Sequence, residues 1–252
     1  MKSFIKNIIL KILSLIKKIL TILRNYLTPE PLVYAPGHYA YKRFIDEELN
    51  NSYEYFKKYF FTAIFLPEER LRKYAIEKAL KNDPHENCLY LEFGVYTGRS
   101  ANFFSKKLKK NLYGFDSFEG FNEDWLGHSH GEGDFSLNKK IPDLENNVKL
   151  EIGWVQQTLP NFLNKNQEKK INFIHMDMDT YKTSKFILEQ IKPYLNNGAI
   201  ICFDELYNYE GWQVGEFKAL QETFNKNEYE YRCFSSNGAQ VVIEYISSKI
   251  IQ

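Results

Sequence analysis

Between residues 88 and 110 the chain passes from a short apolar run, CLYLEFGV, through a loop with two glycines, YTGRS, into a helical stretch from Ala101 to Lys110. Nothing else in the sequence narrows the fold so far. Strand, glycine loop and helix in that order open the sheet of an α/β protein. Glycines at positive φ let the backbone approach a ligand closely, and the helix start exposes amides that can hold it. Gly94 and Gly98 occupy the loop, and Glu92 stands two residues before the first of them. The next apolar run, NLYGF, closes on Asp116, where a nucleotide-binding α/β fold sets an acid against ribose hydroxyls. The loop does not follow the G-x-G-x-x-G pyrophosphate fingerprint, which weighs against a dinucleotide such as NAD. An acid ahead of the loop suits a cationic adenosine ligand instead.

Two later apolar runs also end in acids: INFIHM leads into Asp177-Met178-Asp179, and GAIICF leads into Asp204-Glu205. The carboxyl ends of strands in an open sheet form the ligand crevice, so Asp177, Asp204 and Glu205 should converge there. Three such carboxylates repel one another unless a hard cation such as Mg²⁺ neutralises them, and that cation would acidify and orient a substrate hydroxyl. Asp177 is also the candidate general base. Asp179, just ahead of a helical run, reads as a helix cap. His175 sits inside an apolar strand and reads as a core histidine. His128 and His130, in a glycine-rich stretch, read as part of a loop over the site. Strands near 88–95, 112–116, 147–152, 171–177, 199–204, 229–234 and 240–245 predict a mostly parallel seven-stranded α/β sheet, the last two strands forming a terminal hairpin.

Charge and composition bound the function. Lys and Arg number 33 against 32 Asp and Glu, a net charge of +1, and so give no broad positive field for nucleic acid. Cys88, Cys202 and Cys233 are widely spaced among apolar residues and read as buried thiols of a cytoplasmic body. Residues 1–27 carry Lys2, Lys6, Lys11, Lys17, Lys18 and Arg24 and no acid, with polar positions recurring as on one helical stripe. That pattern predicts a basic amphipathic helix, lying on a membrane surface or packed on protein, and fits neither a transmembrane span nor a signal peptide. Residues 28–36, with three prolines, form a linker. Residues 37–87 form an aromatic-rich helical cap, and residues 88–252 the ligand-binding domain.

Five blocks carry a family resemblance: YLEFGVYTGRS (90–100), LYGFDSFEGFNEDW (112–125), GWVQQTLPNFL (153–163), IHMDMDTYKTSK (174–185) and ICFDELYNYEGW (201–212). In this combination and order the sequence resembles the class I S-adenosylmethionine-dependent methyltransferases, specifically the macrocin and mycinamicin sugar O-methyltransferases. The resemblance implies a Rossmann-like fold with S-adenosylmethionine and Mg²⁺ as cofactors. It implies that Glu92, Gly94 and Gly98, with Thr97 and Ser100 of the same loop, surround the methionine end. Asp116, followed by Ser117, would take the ribose, and Gly153-Trp154 would lie near the adenine, although Trp154 reads equally well as core. Mg²⁺ would bind Asp177, Asp204 and Glu205, the last standing where some relatives carry Asp. The implied acceptor is a hydroxyl of a sugar or glycan; a homo-oligomer is expected, and the cysteines and the basic segment 1–27 place it in the cytoplasm or peripherally at the inner membrane face. Two rivals are an NAD-dependent oxidoreductase and a non-catalytic membrane-associated scaffold with a vestigial pocket.

Overall fold

The computed structural model describes residue 13 and residues 16–20, 36–83 and 87–247. The chain divides into two compact units, Met1–Phe44 and Ile45–Gln252. Within the first, residues 16–20 are helical and Ile16, Ile19 and Leu20 are exposed. The remainder of the expected basic helix and residues 28–35 of the linker lie outside the described residues. No described helix is long and apolar enough to cross a membrane.

The second unit is built on an eight-stranded sheet in the order β1-β7-β8-β6-β5-β2-β3-β4. Its strands are β1 (Ile64–Leu66), β2 (Leu89–Phe93), β3 (Leu112–Asp116), β4 (Val148–Ile152), β5 (Ile171–Met176), β6 (Leu195–Phe203), β7 (Tyr229–Ser235) and β8 (Val241–Tyr245). Every pairing is parallel except those of β8, which runs antiparallel to both β6 and β7. The terminal hairpin is therefore as expected. Every residue of β2 and β5 is buried, as central parallel strands require when helices cover both faces.

One face carries α4 (Val155–Lys165), α5 (Tyr181–Ile191) and α6 (Glu216–Thr223), whose Leu159, Ile187 and Leu220 join Leu91, Phe93 and Phe203 in one core cluster. The other face carries α2 (Glu68–Lys81) and α3 (Arg99–Ser105), whose Ala75, Ile76 and Phe104 join Tyr90, Phe173 and Cys202 in a second. Helix α2 buries Leu71, Arg72, Ala75, Ile76 and Ala79, one stripe at helical spacing. Asn172 donates to the Ala79 carbonyl at 2.6 Å and Asn82 to the Gly198 carbonyl at 2.9 Å, fastening the end of α2 to β5 and β6.

The eighth strand was not legible in the sequence. Ile64–Leu66, within the stretch expected to be helical, pairs in parallel with Cys233–Ser235 at the sheet edge. Three residues are too few to show a period of two, so an aromatic-rich neighbourhood hides them. Ahead of it, α1 (Pro36–Phe56) ends on Phe56, a fully buried ring set edge-on or tilted to Tyr207, Trp212, Phe217, Tyr231 and Phe234 at 5.5–5.7 Å between centroids. Phe56→Ala should cost about 3–5 kcal/mol and lower the thermal midpoint by roughly 6–20 °C. A thermal melt showing a shift of less than 2 °C would mean that this end of α1 is not part of the folded core.

Candidate active site

The sheet reverses direction at β2. The chain steps outward from β2 to β3 and β4, then crosses back to lay β5 on the other side of β2. At such a switch point the connections leave the carboxyl ends of the two central strands in opposite directions and open a crevice between them. Here the crevice encloses about 440 Å³, within the range of small-molecule sites. Gly94, Thr97, Ser100, Asp116, Ser117, Gly153, Trp154, Asp177, Asp204 and Glu205 all line it. Ten residues named from the sequence are thus brought to one cavity.

The glycine loop is shaped by its surroundings. Gly94 has φ +86°, and a Cβ there would stand 1.9 Å from the Asp177 carbonyl oxygen, so only glycine lets β2 and β5 close at this level. Asp116 braces the loop from β3. Its Oδ2 accepts from the backbone N–H of Val95 at 2.8 Å and of Tyr96 at 2.7 Å, while Oδ1 accepts from Phe118 at 2.6 Å. The carboxylate that faces the crevice also holds Tyr96 at φ +45°, a conformation few side-chain-bearing residues adopt. Gly98, at φ +79°, precedes α3 and turns the chain without itself lining the cavity. Trp154 lies half-buried on the crevice wall, outside both core clusters.

Glu92 is placed differently from the sequence expectation. Strand side chains alternate between faces, and Glu92 points with Tyr90 towards α2 and α3, fully buried, and does not line the crevice. It faces its register partner His175, with Oε1 3.0 Å from Nδ1. The opposite nitrogen of His175 makes an ion-pair contact of 3.4 Å with Asp204 Oδ1. Burial opposes a charge on this ring, but the carboxylates of Asp204 and Glu92 outweigh it and raise the pKa to about 10. His175 is a core histidine, as expected, and it also joins two acids. Burial likewise opposes the charge on Asp204, yet His175 and Arg72 hold its carboxyl well below the usual range.

Among the described residues, Asp177, Asp179 and Glu205 make no ion pair, and the pull of His175 on Asp177 is outweighed. Asp177, Asp179 and Glu205 each present an oxygen within 4.8 Å of the others, and a ring nitrogen of His175 lies as close to oxygens of Asp177 and Asp204. Burial and then the charge of Asp204 push both the Asp177 and the Glu205 carboxyls well above the usual range. Burial raises Asp179 to about 6, against the opposing contact with Glu205. Asp179 is not the cap of α5, because Thr180 holds that position and Asp179 itself sits at φ +58°. The expected cap is instead a member of the acidic group. Glu216, fully buried on α6, accepts from the Met178 N–H at 3.2 Å and fixes the backbone between the two aspartates.

The glycine-rich stretch after β3 supplies an aromatic wall. Phe121, Trp125 and Phe135 line the crevice, and His128 stacks on Trp125 at 4.0 Å. His130 pairs with Asp134 at 3.0 Å. Among the described residues, neither histidine belongs to a group that could hold a metal ion. Arg72 was missed from sequence because it comes from α2, before the first motif.

Residues 91–206 match a family model described as a methyltransferase domain. No curated protein matches the chain. Among solved structures, CalS11, a calicheamicin methyltransferase, is similar at 23% identity and a TM-score of 0.59, over 70% of this chain and 78% of that one. The apo structure of CalS11, described as a TDP-rhamnose 3'-O-methyltransferase, gives 23% and 0.53 over 89% and 92%. The O-methyltransferase NovP gives 16% and 0.52 over 71% and 80%. Residues 91–206 thus resemble a methyltransferase domain in sequence, and the sheet that carries them has the class I methyltransferase fold of these structures, as the sequence motifs implied.

Gly94→Ala should displace the Asp177 carbonyl, lowering the thermal midpoint and weakening S-adenosylhomocysteine binding at least tenfold by calorimetry. Unchanged binding would show that this close approach does not shape the ligand crevice.

Proposed function

We propose that this protein transfers the methyl group of S-adenosylmethionine to a hydroxyl oxygen of a sugar, on a glycan or a glycosylated natural product. The observation that carries the reading is one crevice holding two chemistries. At one end stand the glycine loop, Asp116 and Gly153-Trp154, suited to an adenosine ligand. At the other end stand crowded, half-buried carboxylates suited to a hydroxyl acceptor. In this reading Gly94, Thr97, Gly98 and Ser100 shape the methionine end, Asp116 and Ser117 take the ribose, and Trp154 flanks the adenine. Glu92 acts on that end through His175 and the backbone of β2, from behind the crevice wall.

A divalent cation such as Mg²⁺ fits the donor set. The oxygens are hard, they lie close together, and Glu205 Oε2 is buried without a hydrogen-bond partner. Asp177 and Glu205, with Asp179 and Asp204 beside them, would hold it. When bound, it would acidify the acceptor hydroxyl and neutralise the carboxylates.

The chain's own part is positioning and proton removal. The acceptor oxygen attacks the methyl carbon in line with the departing sulfur. The new C–O bond forms as the C–S bond breaks, the electron pair stays on sulfur, and the hydroxyl proton passes to a carboxylate. Asp177 is the proposed base, and Asp179, on the same short loop facing the same crevice, is placed to share that role. Holding the two reactants in line supplies much of the rate, since intramolecular arrangement can lower a barrier by about 7–11 kcal/mol. Phe121, Trp125 and Phe135 offer apolar faces to an acceptor ring and shield the reaction from water.

The methyltransferase domain weighs against the oxidoreductase alternative, and the intact acidic set weighs against a vestigial scaffold. The basic segment 1–27, with Ile16, Ile19 and Leu20 exposed, would carry a cytoplasmic enzyme to an anionic membrane surface, where a lipid-linked or envelope glycan becomes the acceptor. The expected homo-oligomer belongs to the same proposal.

S-adenosylhomocysteine at about 100 times its dissociation constant should stabilise the protein by roughly 2.7 kcal/mol, a rise of about 5–11 °C in thermal midpoint that NAD does not produce. No rise, or one with NAD alone, would overturn the cofactor assignment. With a panel of sugar acceptors and Mg²⁺, Asp177→Asn should lower S-adenosylhomocysteine formation by about 10²–10⁴-fold while leaving the thermal response to that ligand intact. Near-wild-type turnover would remove Asp177 from the chemistry. EDTA should abolish turnover and added Mg²⁺ restore it; turnover indifferent to EDTA would remove the metal from the reading.

A further inference from the structure

Asp204 is gripped from outside the methyltransferase domain. Arg72, on α2 and only 8% exposed, places Nη2 at 2.6 Å from Asp204 Oδ1, across 132 residues of sequence. Its Nη1 meets Glu68 Oε1 at 2.6 Å, one helical turn back, so both arms of the guanidinium are anchored. His175 approaches the same Asp204 oxygen at 3.4 Å from the other side, and is itself held by Glu92. The backbone of Asp204 is already tied to the sheet, its N–H donating to the Met176 carbonyl at 2.9 Å. What remains free is the side-chain torsion, and the two cations set it. Both act on Oδ1, and a carboxylate held by one oxygen has the direction of the other fixed.

We propose that Arg72 is a positioning residue: by holding Oδ1 of Asp204 it fixes that carboxylate beside Asp177, so that a divalent cation meets an oriented ligand. This rests on the cation reading given above. Arg72 is neither a cation ligand nor a base, and it acts only through Asp204. Residues that orient a metal's ligands are typically worth 10–100-fold in metal affinity. Simple electrostatics gives the opposite sign, because removing a positive charge beside a cation site should tighten binding. The sign of the effect therefore separates orientation from charge.

The test is a Mn²⁺ titration of the full chain, with free Mn²⁺ read by electron paramagnetic resonance, on wild type, Arg72→Met, Arg72→Lys, Asp204→Asn and the Arg72→Met/Asp204→Asn double variant. Arg72→Met should weaken Mn²⁺ binding about 10–100-fold. Arg72→Lys keeps the charge but loses the two-armed grip, and should also bind more weakly than wild type. The double variant should bind no more weakly than Asp204→Asn alone, because Arg72 has nothing left to orient. Each variant should keep its thermal response to S-adenosylhomocysteine, which a general loss of structure would not spare. Should Arg72→Met fail to fold, Arg72→Lys decides the matter by the same measure. Binding as tight as wild type or tighter in Arg72→Met or Arg72→Lys, or additive losses in the double variant, would overturn the positioning role while leaving the cation reading in place. Absence of Mn²⁺ binding by the wild type would overturn both.

Discussion

The site depends on how mutual repulsion among crowded, partly buried acids is balanced. Asp177, Asp179, Asp204, Glu205 and Glu216 meet where β5, β6 and α6 come together, in surroundings that penalise every charge. Of these five, among the described residues, Asp204 alone makes ion pairs, with Arg72 and His175, and it alone is held below the usual range. The others are pushed upward, first by burial and then by their neighbours. A protein does not keep such a group buried for stability, because well-packed apolar residues would serve stability as well. The arrangement makes sense where a cation or a reacting proton completes it.

The two ends of the crevice are mechanically joined. Gly94 rests against the carbonyl of Asp177, so the loop that would cradle the cofactor and the strand end that bears the first acid share one close contact. Beneath them, Glu92, His175, Asp204 and Arg72 form a continuous line from β2 through β5 and β6 to α2. Asp116 completes the frame from β3 by accepting two loop amides. The methyl donor and the acceptor would thus be registered on the same rigid sheet, as in-line transfer demands.

Most of the architecture could be read from the chain. Apolar runs fully buried in a parallel sheet announce themselves by composition; seven of the eight strands and the terminal hairpin followed from them, Gly94, Asp116, Asp177, Asp204 and Glu205 from the residues at their ends, and the other five crevice residues from the family resemblance. Besides the facing of Glu92, three features escaped. The edge strand Ile64–Leu66 is too short to carry a period. Asp179 had the sequence context of a cap, but its left-handed backbone turns it into the acidic group and leaves the cap position to Thr180. Arg72 sits in an amphipathic helix where an arginine ordinarily marks the solvent side.

The sequence by itself determined the class of fold, the succession of seven of its strands along the chain and the address of the site. Those rest on local signals, namely strand composition, glycine placement and acids at strand ends, which act within a few residues of where they are written. The tertiary structure alone decided which side of the sheet each acid serves. Glu92, one residue from the end of its strand, faces the α2 and α3 side and joins His175, whereas Asp204 and Glu205, just past the end of theirs, line the crevice. It also decided that a guanidinium from residue 72 steadies a carboxylate at residue 204. Pairings of that kind arise only when packing brings distant segments together, and no local pattern encodes them.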